Sequence, residues 1–348
     1  MTALVLGGTG FVGRRLVETL AADGVETSVL NRGRTPNAVP DGVERLVADR
    51  TDAAAMRAAL HGREWDEVYD VSGVVQATAG SGLDELVGLL DGRFGRYVFV
   101  SSQSVYRMHG RFPWDETSPT IAPDLSSYAG FKVAAEQALL AQHRAIGFPV
   151  GIARPAAIYG PYNNIYDMEH AMFRRLLDGR PILLPYGGLV VASYGHVDDL
   201  CRALRTIATH PAAVGEIFNV TAGAITSAAY VDTLAAVAGV DAHVVHVPDD
   251  VVESTGPPLC SRLFLPRHHG MLDVTKAWTV LGVTPEYDLH SGHAHTLAWL
   301  RGQGALAGEG ADNDPMWGRT YDLAHETAVA TSLLSPTTLH TSTTGESP

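Results

Sequence analysis

Apolar residues in the first 155 positions follow two rhythms that take turns. Short apolar runs at Ala3–Leu6, Glu26–Leu30, Val43–Ala48, Glu67–Val71, Arg96–Val100 and Pro149–Ala153 have the length and bounding polar residues of buried strands. Between them apolar residues recur at helical spacing, as in Val12, Leu16, Val17 and Leu20, then in a short segment ending at Leu60, then from Leu83 to Leu90. Ser126-Ser127 caps the longest of these, with an alanine-rich face running to Ile146. Strand and helix in regular alternation predict right-handed crossovers and a parallel sheet with helices on both faces, an α/β doubly wound fold. Ligands of such sheets lie at the carboxyl ends of the strands.

The first strand runs directly into Gly7-Gly8-Thr9-Gly10-Phe11-Val12-Gly13. Gly7, Gly10 and Gly13 fit GxxGxxG, while Gly8, Gly10 and Gly13 fit GxGxxG, and either register brings backbone close to a pyrophosphate with no Cβ in the way. The helix that follows, through Asp23, aims unpaired N–H groups at that phosphate. About twenty residues on, the second strand ends in Asn31-Arg32-Gly33-Arg34. A carboxylate there would bind the ribose 2′-OH of NAD, whereas Asn31 removes that charge and Arg32 can pair with a 2′-phosphate, so NADP is favoured and NAD stays open. Solvated turn residues are the competing reading of Arg32 and Arg34.

The fifth strand delivers Ser101-Ser102-Gln103-Ser104 to the same edge, and Tyr128 and Lys132, four residues apart, share one helical face. Between them, His109 to Leu125 reads as an irregular, proline-rich flap. Beyond Pro161 the alternation loosens, with helices expected near 167–178, 197–208, 227–238 and 288–301, a glycine-rich linker from Gly302 to Gly318, one more helix between Tyr321 and Ala330, and a disordered Ser/Thr-rich end from Thr331. The net charge of −13 disfavours nucleic acid and anionic lipid as partners, and no apolar run reaches the ~18 residues of a membrane span. Cys201 and Cys260 form no metal-ligand spacing with histidine, and the adjacent His268 and His269 point apart on an extended chain. A cytoplasmic protein without a metal, acting on a small molecule, is the expectation.

The glycine turn, Ser102, Tyr128-xxx-Lys132 and Arg154-Pro155 through Tyr159-Gly160-Pro161 together resemble the extended short-chain dehydrogenase/reductases, the NAD-dependent epimerase/dehydratase family, over residues 3 to 300. Leu30-Asn31-Arg32-Gly33 and Phe264-Leu265-Pro266-Arg267-His268-His269 look like its isoflavone-reductase-like and chloroplast stem-loop-binding branch. The resemblance implies a Rossmann-type domain over 1–160, a smaller α/β substrate lobe over 161–301 interleaved with it, and a linker, helix and tail over 302–348. It implies Ser102, Tyr128 and Lys132 as the catalytic trio, Ser102 being chosen because it precedes Val105-Tyr106 as in the family's Ser-x-x-Val-Tyr. It places Gly7, Thr9, Gly10, Phe11, Val12, Gly13, Asn31, Arg32 and Arg50 around the cofactor, Asp49 near the adenine, Ser72 near the pyrophosphate or ribose, Lys132 on the nicotinamide ribose, and Pro155 with Ile158 beside the carboxamide. A homodimer fits the family habit. On physical grounds the neighbouring ammonium is expected to pull the phenol below its usual pKa near ~10.

Departures narrow the function. Ala157 stands where nucleotide-sugar epimerases offer an Asn, Ala192 begins the segment Ala192-Ser193-Tyr194-Gly195-His196-Val197-Asp198 where they carry an Arg, and Gln103-Ser104 replaces the Asp-Glu of sugar 4,6-dehydratases. Arg174, Arg175 and Arg267 could compensate or be solvated. Three readings follow: an NADP(H)-dependent oxidoreductase of a small cyclic or phenolic alcohol/carbonyl pair, a sugar epimerase with tightly held NAD, and a non-catalytic binding protein on the same fold.

Overall fold

In the computed structural model the described residues are 1–34, 39–72, 81–90, 92–108, 110–165, 167–254, 262–264, 266–306, 313–314, 319–320 and 323–335. Gly73, His109, Cys260, Leu265, most of 307–318 and everything from 336 on lie outside them, as do the parts of the linker and tail expectations that fall there.

The first half alternates as its pattern predicts. It runs β1 (Thr2–Leu6), α1 (Phe11–Ala22), β2 (Glu26–Asn31), β3 (Glu44–Val47), α2 (Ala53–Leu60), β4 (Trp65–Asp70), α3 (Ser81–Leu90), β5 (Phe94–Val100), α4 (Tyr128–Ile146) and β6 (Val150–Pro155). The second half holds β7 (Ala157–Tyr159), α5 (Glu169–Leu177), β8 (Ile182–Pro185), β9 (Val191–His196), α6 (Val197–Thr209), β10 (Ile217–Val220), β11 (Gly223–Thr226), α7 (Ser227–Ala238), β12 (Val244–Val247), α8 (Asp249–Ser254), α9 (Thr275–Leu281) and α10 (Leu289–Gly302). A two-residue pair, β13 (Asn313–Asp314) and β14 (Arg319–Thr320), precedes α11 (Leu323–Leu334). The four later helices stand where periodicity put them. The sequence reading did not include α8 and α9, whose six and seven residues offer too few turns to establish a period.

Seven strands form one parallel sheet in the order β10-β6-β5-β4-β1-β2-β3. The order reverses between β1 and β4, so the crevice for a ligand opens at their carboxyl ends. Helices cover both faces. Leu16, Val17 and Leu20 of α1 join Leu200, Leu204 and Ile207 of α6 on one, and Met56, Leu60, Leu83, Leu86, Ala135 and Leu139 of α2, α3 and α4 lie on the other. Each such fully buried leucine, isoleucine, valine or methionine side chain contributes about 2 kcal/mol. The strands β7, β9 and β11 form a second sheet, packed with α5, α7 and α10 around Tyr159, Phe173, Tyr194, Tyr230 and Leu297.

The last helix sits over the parallel pair β8 and β12, burying Ala330 against Leu183, Val245 and Val247. Its Glu326 meets Arg175 of α5 in a bidentate ion pair of 2.6 and 2.9 Å with both side chains buried. Arg175 is therefore neither solvated nor open to a substrate phosphate, a correction of the sequence expectation. Removing one partner of a buried pair is costly, whereas removing both is often neutral. Glu326→Ala should lower stability by roughly 3 kcal/mol, and Arg175→Met/Glu326→Leu should recover most of that loss. Urea denaturation of the two variants checks this, and an equal loss in both would show that the charges themselves stabilise the fold.

Candidate active site

The chain after β5 and the start of α4 meet at the carboxyl edge of the sheet. Ser127 caps α4 by accepting the Gly130 N–H at 3.1 Å, which fixes the first turn and the direction of Tyr128. One turn on, Lys132 is 2% exposed. Its Nζ donates to the Val100 carbonyl oxygen at 2.8 Å and lies 4.7 Å from the Phe99 ring centre and 5.8 Å from that of Tyr128. The helix is thus pinned to the strand end that leads into Ser102. The Ser102 hydroxyl accepts from Ser104 N at 3.2 Å and Ser104 Oγ at 2.9 Å, which leaves its own proton free to be donated, and it acts on the Tyr128 phenol nearby. The three residues expected as a trio stand together.

Their electrostatics differ from the expectation. Tyr128 is 39% exposed, yet desolvation by the protein around it raises its pKa above the ordinary value, with Ser102 acting in the opposite direction. The expected depression by Lys132 is corrected: the ammonium is turned to Val100 and is itself desolvated, which lowers its pKa to about 8. Tyr128 is a protonated phenol at neutral pH.

The glycines of the first turn divide their work. Gly7 has φ +92°, and a Cβ on it would stand 2.9 Å from Ser72 Cα. Gly13 is buried, and a Cβ there would collide with the Gly7 carbonyl oxygen, so these two serve the close packing of β1, α1 and the chain after β4. Gly10 is the open one. It caps α1 without any side-chain acceptor, is exposed, and a Cβ on it would meet nothing within 4 Å. Uncapped N–H groups under an open position suit an anion. Thr9, Phe11 and Val12, half-buried, flank it.

At the end of β2, Asn31 accepts the Gly33 N–H at 2.7 Å, and its buried amide nitrogen has no partner among the described residues. Arg32 is exposed and, with Arg34, helps hold the Asp49 carboxylate below its usual range, after the hydrogen bonds from Thr51. Arg50 points inward. It pairs with the fully buried Asp70 at 2.8 and 3.0 Å and also bonds Ser72, while Tyr97 donates to Asp70 at 2.6 Å. Burial works against the Asp70 charge, but these partners hold its pKa below the usual value. Pro155, at the end of β6, and Ile158, three residues on in β7 against Gly195, are both buried. The turn, the orphaned Asn31 amide and the exposed Arg32 together fit an adenine dinucleotide.

The sequence profile of the NAD dependent epimerase/dehydratase family matches residues 3–221. The chain belongs to this family. A UDP-glucose 4-epimerase of Mycolicibacterium smegmatis is 30% identical over 86% of this chain and 99% of its own. The chloroplast stem-loop binding protein of 41 kDa b of Arabidopsis thaliana is 28% identical over 83% and 76%. Among solved structures, a dTDP-glucose 4,6-dehydratase of Streptomyces venezuelae with NAD bound superposes with a TM-score of 0.70 at 26% identity, over 87% of this chain and 97% of that one.

One signal in the family member's sequence was missed: it contains 23 arginines but only two lysines, Lys132 and Lys276. A lysine kept where arginine is the habitual cation points to ammonium chemistry. Also unforeseen is the cluster of His196, Asp198 and His295. Its atoms are already engaged, because Arg15 forks the Asp198 carboxylate, the Asp198 N–H reaches His196 Nδ1 at 3.2 Å, and His196 Nε2 meets His295 Nδ1 at 3.2 Å. Of the residues that might have met a diphosphate, Arg267 is paired with Glu253 and Tyr186. His269 accepts the Val191 N–H at 3.0 Å. No described helix is long and apolar enough to cross a membrane.

A lysine whose pKa falls to about 8 on folding costs stability wherever both states are protonated, and the cost fades as pH rises from 8 toward the unfolded value of 10.5. Lys132→Met should therefore be more stable than the native protein by on the order of 2 kcal/mol at pH 7, after allowing for the lost bond to Val100. The gap should close by pH 10.5. Thermal melts across that range check both the sign and the pH window.

Proposed function

We propose that the chain is an NADP(H)-preferring oxidoreductase that reduces the carbonyl of a small, cyclic or phenolic metabolite to an alcohol. The observation that carries this reading is the Ser102, Tyr128 and Lys132 assembly at the sheet edge that also presents the open Gly10 turn. A reduced nicotinamide docked there supplies the hydride. Tyr128, kept protonated by burial, gives its proton to the carbonyl oxygen as the hydride reaches the carbon. Ser102 holds that oxygen, and the Lys132 ammonium offsets the phenolate left behind. Lys132 also holds the nicotinamide ribose, with Asn31 and Arg32 at the adenosine end.

The substrate side supports a ligand without a diphosphate. Ala157 and Ala192 lie in the paired strands β7 and β9, among the half-buried apolar residues Ile165, Ile225 and Ala228. Arg175 and Arg267 are already committed to Glu326 and Glu253. The epimerase relative favours a second reading, in which tightly held NAD takes a hydride from a sugar and returns it to the other face.

Mass spectrometry of nucleotide released from denatured protein separates the two. The oxidoreductase reading expects little bound nucleotide, saturable binding of NADPH, and at least roughly tenfold loss of NADPH preference in Arg32→Asp. Stoichiometric copurified NAD with no net turnover would favour the epimerase. Binding that is indifferent to Arg32 would sink the preference for NADP. A paired test concerns the turn. Gly10→Ala should melt like the native protein yet bind NADPH about tenfold more weakly, since its methyl group meets only ligand. Gly13→Ala should instead lose stability, because its methyl meets the Gly7 carbonyl.

A further inference from the structure

The face of α4 that presents Tyr128 and Lys132 continues one turn further to Glu136, which is 3% exposed. Its carboxylate accepts Arg154 Nε at 3.0 Å and Nη2 at 2.6 Å, and Arg154 is equally buried. Arg154 belongs to β6 and immediately precedes Pro155. The remaining edge of its guanidinium donates to the Glu116 carbonyl oxygen at 3.3 Å, and its centre lies 4.8 Å over the Tyr106 ring. Tyr106 closes the turn that starts at Ser102 and donates to Asn219 Oδ1 of β10 at 2.7 Å. The Asn219 amide donates to the carbonyls of Trp114 and Asp273 at 2.9 and 3.0 Å, and its backbone N–H to Glu116 Oε1 at 2.7 Å. One connected net therefore touches α4, β6, β10, the Ser102 turn and the flap.

Stability alone does not account for such a net. A buried ion pair gains little over apolar residues of equal volume, because desolvation cancels most of the attraction. What a forked guanidinium adds is geometry, since two parallel bonds fix both distance and angle. We propose that Glu136 and Arg154 are positioning residues for Tyr128 and Lys132, their clamp setting the register of α4 against the strand end at Pro155. This rests on the oxidoreductase reading above. Neither residue touches the reacting atoms. Lys132 is faced by Asp70 and Arg50 from the sheet edge and by Tyr128 and Glu136 from its own helix. Burial disfavours its charge most, Arg50 adds to that, and Asp70 and Glu136 oppose it.

With only two lysines, protein labelled with 13C at lysine Cε gives two side-chain signals, and Lys276→Arg assigns them. The variants are Glu136→Gln, the doubly neutral Glu136→Gln/Arg154→Met, and Arg154→Lys, each measured for Lys132 titration, NADPH affinity and melting temperature. In Glu136→Gln the Lys132 midpoint should fall, because Glu136 favours its charge, and in the double variant, which removes both charges, a displaced midpoint reports the loss of register. NADPH affinity should weaken roughly tenfold in the double variant even where its melting temperature matches the native protein. A folded double variant with native Lys132 titration and native affinity would overturn the proposal and leave the pair a packing feature. Should the double variant not fold, Arg154→Lys decides, because it keeps the charge and loses the fork: weakened NADPH binding supports the clamp and native binding overturns it. A native protein that binds no nicotinamide nucleotide instead overturns the oxidoreductase reading, while the Lys132 titration still judges the clamp.

Discussion

The ammonium of Lys132, held at 2.8 Å by the Val100 carbonyl and almost wholly cut off from water, is the contact on which the site's geometry depends. Burying a charge there disfavours folding, and the drop of its pKa to about 8 measures that tension. In return it ties the first turns of α4 to the end of β5 at the one place where Ser102 leaves the sheet. Tyr128 inherits its position from this tie, since it stands one turn before the lysine and shares its face. An apolar residue at 132 would pack as well but would leave the phenol with no cation beneath it.

Around that contact the chain repeats one device. Arg50 with Asp70, Arg154 with Glu136 and Arg175 with Glu326 are bidentate pairs buried from water, and each joins two segments distant in sequence. The first closes the strand ends beneath the glycine turn, the second ties α4 to β6, and the third seats the last helix on α5. The same α5 begins with Glu169, whose burial raises its pKa to about 7 and whose carboxylate accepts from Gly160 N and Asn163 Nδ2, ordering the loop after β7. Arginine suits these places because its planar fork is held by two oxygens at once and it does not lose its proton when buried.

Much of the framework was legible because its signals are periodic. Alternation of apolar runs and helical faces fixed the order of β1 to β6, and Ser127 marked the start of α4 one residue before Tyr128. What escaped depends on contacts made across the fold. Nothing local says that Gly13 serves packing while Gly10 faces outward, since that depends on where the Gly7 carbonyl lies. Arg175 reads as an ordinary surface residue until Glu326, 151 positions later, arrives beside it. The phenol's pKa went the wrong way for the same reason: spacing showed a cation one turn away, but only the fold shows that cation pointing at Val100 and the phenol desolvated.

That reversal bears on the resting protonation state of the site. A phenol whose pKa is lowered toward neutrality can rest as a base, whereas one raised by burial rests in its protonated form. The raised value of Tyr128 and the protonated state of Lys132 below pH 8 belong to one arrangement, in which the phenol rests protonated with an ammonium 5.8 Å from its ring centre. Were the ammonium closer to the hydroxyl, it would stabilise the phenolate and so lower the pKa of the phenol. Its retreat to the Val100 carbonyl leaves burial to set the Tyr128 pKa above its ordinary value, so the phenol is protonated at neutral pH.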